Sequence, residues 1–269
     1  MGDNRPLGVF DSGVGGLTVV REINRLLPAE SIIYLGDTAR VPYGNKSPEA
    51  VQRYALEDSK FLISRDVKAI VVACNTASAY ALDELKQRLG IPVIGVIRPG
   101  VEAALEKTRT GKIGIIATAG TIASDAYQQL ILSIQPEAEI FASATPLLVP
   151  LIEENWLDRP ASRMVAEEYL SPFLSAGVDT LVLACTHYPL IRPLLQGICG
   201  EQMVLVDSAS TCARHTQRRL AENNLEADQD GKGWVQPCLT DTSDHFFELA
   251  TRFLERSPGE IERVKVDVS

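Results

Sequence analysis

The sequence has few of the residues that hold metals and disulfides. Of its 269 residues, three are histidines, none in an HxxxH or HExxH pair, and five are cysteines, none in a CxxC pair. The odd cysteine count and the missing pairs argue against a disulfide framework and a zinc ribbon. Positive charge is also short: 26 Lys and Arg stand against 35 Asp and Glu, a net charge of −9. General binding to nucleic acid or to an anionic membrane favours a basic surface, so both are set aside; a small zwitterion is not. No segment is apolar over the roughly 18 residues that a membrane span needs. The opening MGDNRPLGVFDSG lacks the apolar run of a signal peptide. Together these absences point to a reduced, soluble, cytoplasmic protein. No Gly/Ser-rich or Pro-rich stretch marks a linker.

What is present is an ordinary core-forming composition, 45% hydrophobic and 23% charged, in a length that suits one large domain or two modest ones. Short apolar runs at 7–10, 31–36, 69–74 and 92–97 read as buried strands. Between them lie helical patterns from Leu17, closed by Pro28, from Ser47-Pro48 to about Ser64, and from about Ser78 to Leu89 with Gly90 as its stop. The pattern restarts at KIGIIATAGTIAS (112–124), with strands at 138–144, 180–185 and 203–209. A connection of helical character (145–156) and helices at 160–176 and from Leu190 lie between them. A helix over 208–220, a polar loop at 221–233, a strand at 234–239, a helix at 243–255 and a strand near Val264 complete the chain. This alternation predicts an α/β protein of two pseudo-symmetric lobes, each a mostly parallel sheet flanked by helices, with the active site in the cleft between them. The expected lobes are 1–98 plus 208–269, and 99–207.

Two stretches are versions of one another: IVVACNTA (70–77) and LVLACTHY (181–188). Each is an apolar run that ends in Ala-Cys-polar-polar and opens a helix. Cys74 and Cys185 are therefore expected at strand tips facing helix N-termini, where ligands bind in α/β sheets and where thiolate is favoured over thiol. The offsets agree, since 63 residues separate Asp11 from Cys74 and 68 separate Ala117 from Cys185. A single cysteine at a strand end is usually a small buried hydrophobe. Two in duplicated settings, followed by Asn75-Thr76 and Thr186-His187, suggest one site with a sulfur on each side. Cys199, Cys212 and Cys238 lack such surroundings.

The DSGVGG loop (11–16) exposes backbone N–H groups between strand and helix. It lacks the Lys-Ser/Thr of a P-loop and the spacing of GxGxxG, so the nucleotide signal is weak and a bound carboxylate or a strained turn fits as well. Asp11 is read either as a site carboxylate or as an N-cap for the next helix. His187, two residues after Cys185, and Asp11 offer each sulfur an acid–base partner. Of Glu153 and Glu154, one could face inward.

GVFDSGVGGLTV, YLGDTARVPYG, VVACNTASA, PVIGVI, IGIIATAGTI, PLIEE, LVLACTHYPLI and VDSA, in this order, resemble the glutamate racemases of the cofactor-independent aspartate/glutamate racemase superfamily. The resemblance runs from Gly8 to about Phe253; Arg98 and Cys212 depart from it, and the tail after Ser257 lies outside it. It implies interconversion of L- and D-glutamate for peptidoglycan, with no pyridoxal phosphate or metal, by a homodimer. By the same analogy Cys74 deprotonates D-glutamate and Cys185 L-glutamate, assisted by Asp11 and His187. Asp11, Ser12, Pro42, Tyr43, Gly44, Asn75, Thr76, Thr118, Thr186 and His187 position the substrate, and Glu153 contacts its ammonium group or assists protonation. The rivals are another enzyme of the superfamily, such as an aspartate racemase, and a two-lobed binding protein whose cysteines are structural.

Overall fold

Strands that are apolar along their whole length must be covered on both faces, and helices flanking a parallel sheet supply that cover. In the computed structural model, which describes residues 2–228 and 231–266, such strands form two sheets with every pairing parallel. The first holds β1 (Leu7–Asp11), β2 (Ile32–Gly36), β3 (Ala69–Val72) and β4 (Val93–Gly95). It is extended beyond β2 by β9 (Val235–Leu239) and β10 (Glu262–Arg263). The second holds β5 (Lys112–Ala117), β6 (Glu139–Ala144), β7 (Thr180–Ala184) and β8 (Val204–Asp207). The order β2-β1-β3-β4 within the first sheet matches β6-β5-β7-β8 in the second, which is the duplication the restart of the pattern predicts. β1, β2, β3 and β7 are buried throughout, whereas the edge strand β6 is half-exposed. Each fully buried Val, Leu or Ile contributes about 1.5–3 kcal/mol, so these runs dominate the stability of both sheets.

In each sheet the strand order reverses at one strand, β1 or β5, and ligands bind outside the carboxyl ends at such points. Asp11 ends β1 and Cys74 follows β3 beside it; Ala117 ends β5 and Cys185 follows β7 beside it.

The helices are α1 (Leu17–Leu26), α2 (Pro48–Ser64), α3 (Asn75–Arg88), α4 (Ile97–Lys107), α5 (Ala119–Ala123), α6 (Ala126–Ile134), α7 (Leu148–Glu153), α8 (Pro160–Ser175), α9 (Arg192–Cys199), α10 (Ser208–Glu222) and α11 (Asp244–Leu254). Ser47 caps α2 as expected, its hydroxyl accepting the Ala50 N–H at 3.3 Å ahead of Pro48. Three expectations need correction. α3 starts at Asn75 rather than Ser78, because Cys74 itself is the cap. Gly90 is not a left-handed stop: Leu89 closes the helix through its N–H to the Leu85 carbonyl. The strand expected over 92–97 stops at Gly95 and α4 opens at Ile97, with Pro99 in its first turn, where a helix N–H has no partner to lose.

α4 carries the chain from the first sheet to the second and α10 carries it back, and α10 packs against both α1 and α4. The polar loop at 37–47 is partly buried. It forms short 3-10 turns at Thr38–Arg40 and Tyr43–Asn45, and buries Asp37, Thr38 and Tyr43. The loop at 221–233 is mostly exposed but pinned at Ala227, whose N–H donates to the Glu30 carboxylate at 2.8 Å. Gln229 and Asp230 lie outside the described residues.

Candidate active site

The two sheets meet at positions where a side chain larger than hydrogen would not fit. A Cβ on Gly15 would lie 2.4 Å from Thr186 Oγ1 and 2.5 Å from His187 Nδ1, and one on Gly44 would lie 2.7 Å from Thr118 Cβ. The glycine at position 15 of the DSGVGG loop is therefore demanded by close approach of the second lobe. Hydrogen bonds cross the same seam. Thr18 donates to the Thr186 carbonyl at 2.9 Å, Tyr80 to the Gly120 carbonyl at 2.8 Å, and Tyr127 to Asn75 Oδ1 at 2.7 Å. The hydroxyls of Thr76, Thr118 and Thr121 lie 2.9–3.1 Å from one another.

Between the sheets lies a cavity of about 210 Å³. All the site residues expected from the sequence line it: Asp11, Ser12, Pro42, Tyr43, Gly44, Cys74, Asn75, Thr76, Thr118, Glu153, Cys185, Thr186 and His187. The Tyr43 hydroxyl turns away to Asp37 and to Asp58, 2.9 Å from the latter, in a buried group that also includes Arg40.

On one wall, Cys74 is 6% exposed and caps α3, its Sγ accepting the Ala77 N–H at 3.5 Å. The helix terminus was expected to favour thiolate there. The outcome is the reverse: burial, reinforced by the Asp11 charge, pushes the Cys74 thiol up to about 12, against the opposing hydrogen bonds from Ala77 and Ser12. Asp11 is itself raised above the usual carboxylate range by burial, although His187 and the N–H groups of Gly16, Gly13 and Ser12 pull it down. Its Oδ2 accepts the Gly16 N–H at 2.9 Å, but Asp11 is not the N-cap of α1: that position is Gly16, and no side chain caps the helix; among the described residues the buried Asp11 Oδ1 has no hydrogen-bond partner.

On the other wall, Cys185 is also 6% exposed, and its Sγ lies 3.9 Å from His187 Nδ1. His187 Nε2 lies 2.9 Å from Glu153 Oε1. Burial works to lower the imidazolium, but hydrogen bonding and charge from Cys185 and Glu153 outweigh it and raise His187 to about 10. The two sulfurs thus sit in opposite electrostatic settings: Cys74 beside a carboxyl group, Cys185 beside a cation. Glu153 faces the cavity and Glu154 faces solvent, which decides between the two.

Residues 7–216 match the family described as Asp/Glu/Hydantoin racemase. A glutamate racemase of Geobacter metallireducens is 49% identical over 263 residues, covering 98% of this chain and 97% of its own length. The chain belongs to the glutamate racemase family. Its fold agrees with solved members. A glutamate racemase isoform of Bacillus anthracis gives a TM-score of 0.95 at 38% identity, covering 99% of this chain and 100% of that one. The glutamate racemase of Francisella tularensis, solved in complex with D-glutamate, gives 0.92 at 39% identity, with 99% and 100% covered. This racemase has no helix, among the described residues, that is long and apolar enough to cross a membrane.

Other lining residues of this racemase carried no signal in the sequence. Val41, Asn45, Ala119, Thr145, Pro146, Val149, Pro150 and Ala184 also face the cavity. Pro146, Val149 and Pro150 sit in the 145–156 connection, whose apolar spacing does not say which side chains meet a cleft. Tyr127, fully buried, reads as ordinary core; only its 2.7 Å bond to Asn75 ties it to the site.

Proposed function

We propose that this chain interconverts L- and D-glutamate in the cavity between its sheets by passing the α-proton between two sulfurs, Cys74 and Cys185. The observation that carries the reading is the pair itself: two buried cysteines on opposite walls of one small cavity, each with its own ionisable partner. The D-glutamate complex of the Francisella tularensis relative supports the choice of substrate.

Inverting a stereocentre needs a base on one face and an acid on the other. Cys74, held as a thiol, is the proton donor in the resting arrangement. Cys185 faces the protonated His187 and takes the α-proton, and the family resemblance assigns this face to L-glutamate. The charge that develops spreads onto the substrate carboxylate, where N–H and hydroxyl donors of Ser12, Gly44, Asn75, Thr76 and Thr186 stabilise it away from water. Cys74 then delivers its proton to the opposite face. D-glutamate runs the same steps backwards, and the unpartnered Asp11 Oδ1 is the acceptor for the Cys74 proton. Glu153 holds the imidazolium in line. The same reading includes the lobe limits 1–98 plus 208–269 and 99–207, a cytoplasmic homodimer, and the supply of D-glutamate to peptidoglycan.

The test is a pair of variants, Cys74→Ser and Cys185→Ser. Each is expected to lower racemisation by about 10²–10⁴-fold while binding glutamate within about tenfold, about 1.4 kcal/mol. β-Chloroglutamate adds direction. Loss of its α-proton to one sulfur expels chloride from the β-carbon, and the enamine formed hydrolyses to 2-oxoglutarate and ammonia. Only the abstracting base is needed, so Cys74→Ser keeps elimination from the L form and Cys185→Ser keeps it from the D form. Near wild-type racemisation in both variants would make the cysteines structural, and faster turnover of aspartate than of glutamate would favour an aspartate racemase.

A further inference from the structure

We infer that Arg252, on α11, is a positioning residue for the Cys185 side of the reaction: it grips the end of α7 so that Glu153 reaches His187. The inference rests on the roles proposed above for Cys185 and His187.

α11 is capped by Ser243, whose hydroxyl accepts the Phe246 N–H, and packs along α1 beside the first sheet. Its last turn nevertheless reaches across to the second lobe. Arg252 Nη1 donates to the Ile152 carbonyl at 3.1 Å and to the Glu153 carbonyl at 3.3 Å. The next residue, Phe253, meets the His187 ring edge to face, with centroids 5.0 Å apart and planes at 81°. One turn of α11 thus touches both members of the Glu153–His187 pair.

α7 needs such support. With six residues it is too short to be stable through its own hydrogen bonds. The N–H groups of Glu154, Trp156 and Asn155 close its last turn on the Pro150, Leu151 and Ile152 carbonyls, and Asn155, at φ +57°, turns the chain away before another helical turn can form. A cation at a helix C-terminus is favourable, and Arg252 adds a second donor to the Ile152 carbonyl and one to the Glu153 carbonyl. Arg252 is half-buried and pairs with no carboxylate among the described residues, so its donors are directed at α7. The connection then runs from the guanidinium to the Glu153 backbone, from the Glu153 carboxylate to His187 at 2.9 Å, and from His187 to Cys185 at 3.9 Å. Cys74 stands on the other wall, where Ser12 and the Ala77 N–H hold it. The effect of Arg252 is therefore one-sided.

The experiment measures elimination from the two enantiomers of β-chloroglutamate by wild type, Arg252→Gln, Arg252→Lys, Glu153→Gln and the double variant Arg252→Gln/Glu153→Gln. Displacing Glu153 by about 1 Å costs on the order of 10–100-fold in rate. Arg252→Gln is expected to lose that factor in kcat for the L form, with the D form and both KM values changed less than about twofold. Arg252→Lys, which keeps a cation, is expected to lose less, and it replaces Arg252→Gln in the comparison if the latter does not fold. The double variant should be no slower than Glu153→Gln alone. Equal slowing of both enantiomers, or full additivity with Glu153→Gln, would reduce Arg252 to a general support of the fold and overturn the inference. If Glu153→Gln slows the L form and Arg252→Gln does not, this inference alone fails. If Glu153→Gln leaves the L form intact, the proposed His187–Glu153 role fails and takes the inference with it.

Discussion

Replacing Gly15 by alanine tests whether the site is built by the close approach of two lobes. The added Cβ would stand 2.4 Å from Thr186 Oγ1 and 2.5 Å from His187 Nδ1, where ordinary contact begins at 3.4 Å. Those groups must therefore move by about 1 Å. Neither is free to turn aside. His187 is held at 2.9 Å by Glu153 and edge-on by Phe253, and the Thr186 carbonyl is bonded to Thr18 across the seam. A shift of about 1 Å in a reacting group costs on the order of 10²-fold in rate, about 2.7 kcal/mol in barrier. The overpacking itself should destabilise the fold by about 1–3 kcal/mol, which at this size lowers Tm by about 2–4 °C per kcal/mol. Gly90→Ala is the matched control, because nothing lies within 4 Å of its added Cβ and its backbone is not left-handed. Racemisation is followed by optical rotation and unfolding by circular dichroism. Gly90→Ala should change stability by less than about 0.5 kcal/mol and leave the rate alone. A Gly15→Ala protein that racemises glutamate within threefold of wild type would refute the packing account of that glycine.

Two further predictions concern buried charge. Lys68 and Glu30 form an ion pair at 2.6 Å with both side chains almost fully buried, so Lys68→Met should cost about 3–5 kcal/mol in urea unfolding. Lys68→Met/Glu30→Gln should recover part of that loss, since the amide still accepts the Ala227 N–H; a single variant costing under about 1 kcal/mol would show that Glu30 does not depend on its cation. His187 is raised from 6.5 to about 10, so its contribution to stability is complete below pH 6.5 and is lost as pH rises through about 10. The slope from this group approaches about 1.4 kcal/mol per pH unit between those values. Glu153→Gln removes one of the groups that raise it, and should draw the alkaline loss toward neutral pH. Identical pH slopes for variant and wild type would contradict the assigned cause.

What the sequence alone determined was local and repetitive. An apolar run with no polar alternation is a strand buried on both faces, and a polar residue after it that opens a helical period is a cap. Those two rules place Asp11, Cys74, Ala117 and Cys185 at strand ends, and their repetition announces two related sheets. Short-range chemistry also located Ser47-Pro48 at the start of α2. The tertiary structure decided everything that depends on what crosses the seam. Glu153 rather than Glu154 faces His187 because α7 ends where it does, under the grip of a helix about a hundred residues further along the chain. Tyr43 turns its hydroxyl from the cavity because buried Asp37 and Asp58 offer it stronger partners. The Cys74 thiol is raised although it caps a helix, because desolvation and a neighbouring carboxylate outweigh the helix terminus. None of these is written in a spacing of three or four residues. Each follows from the distance between groups far apart in the chain, and that distance exists only once both lobes have folded and met.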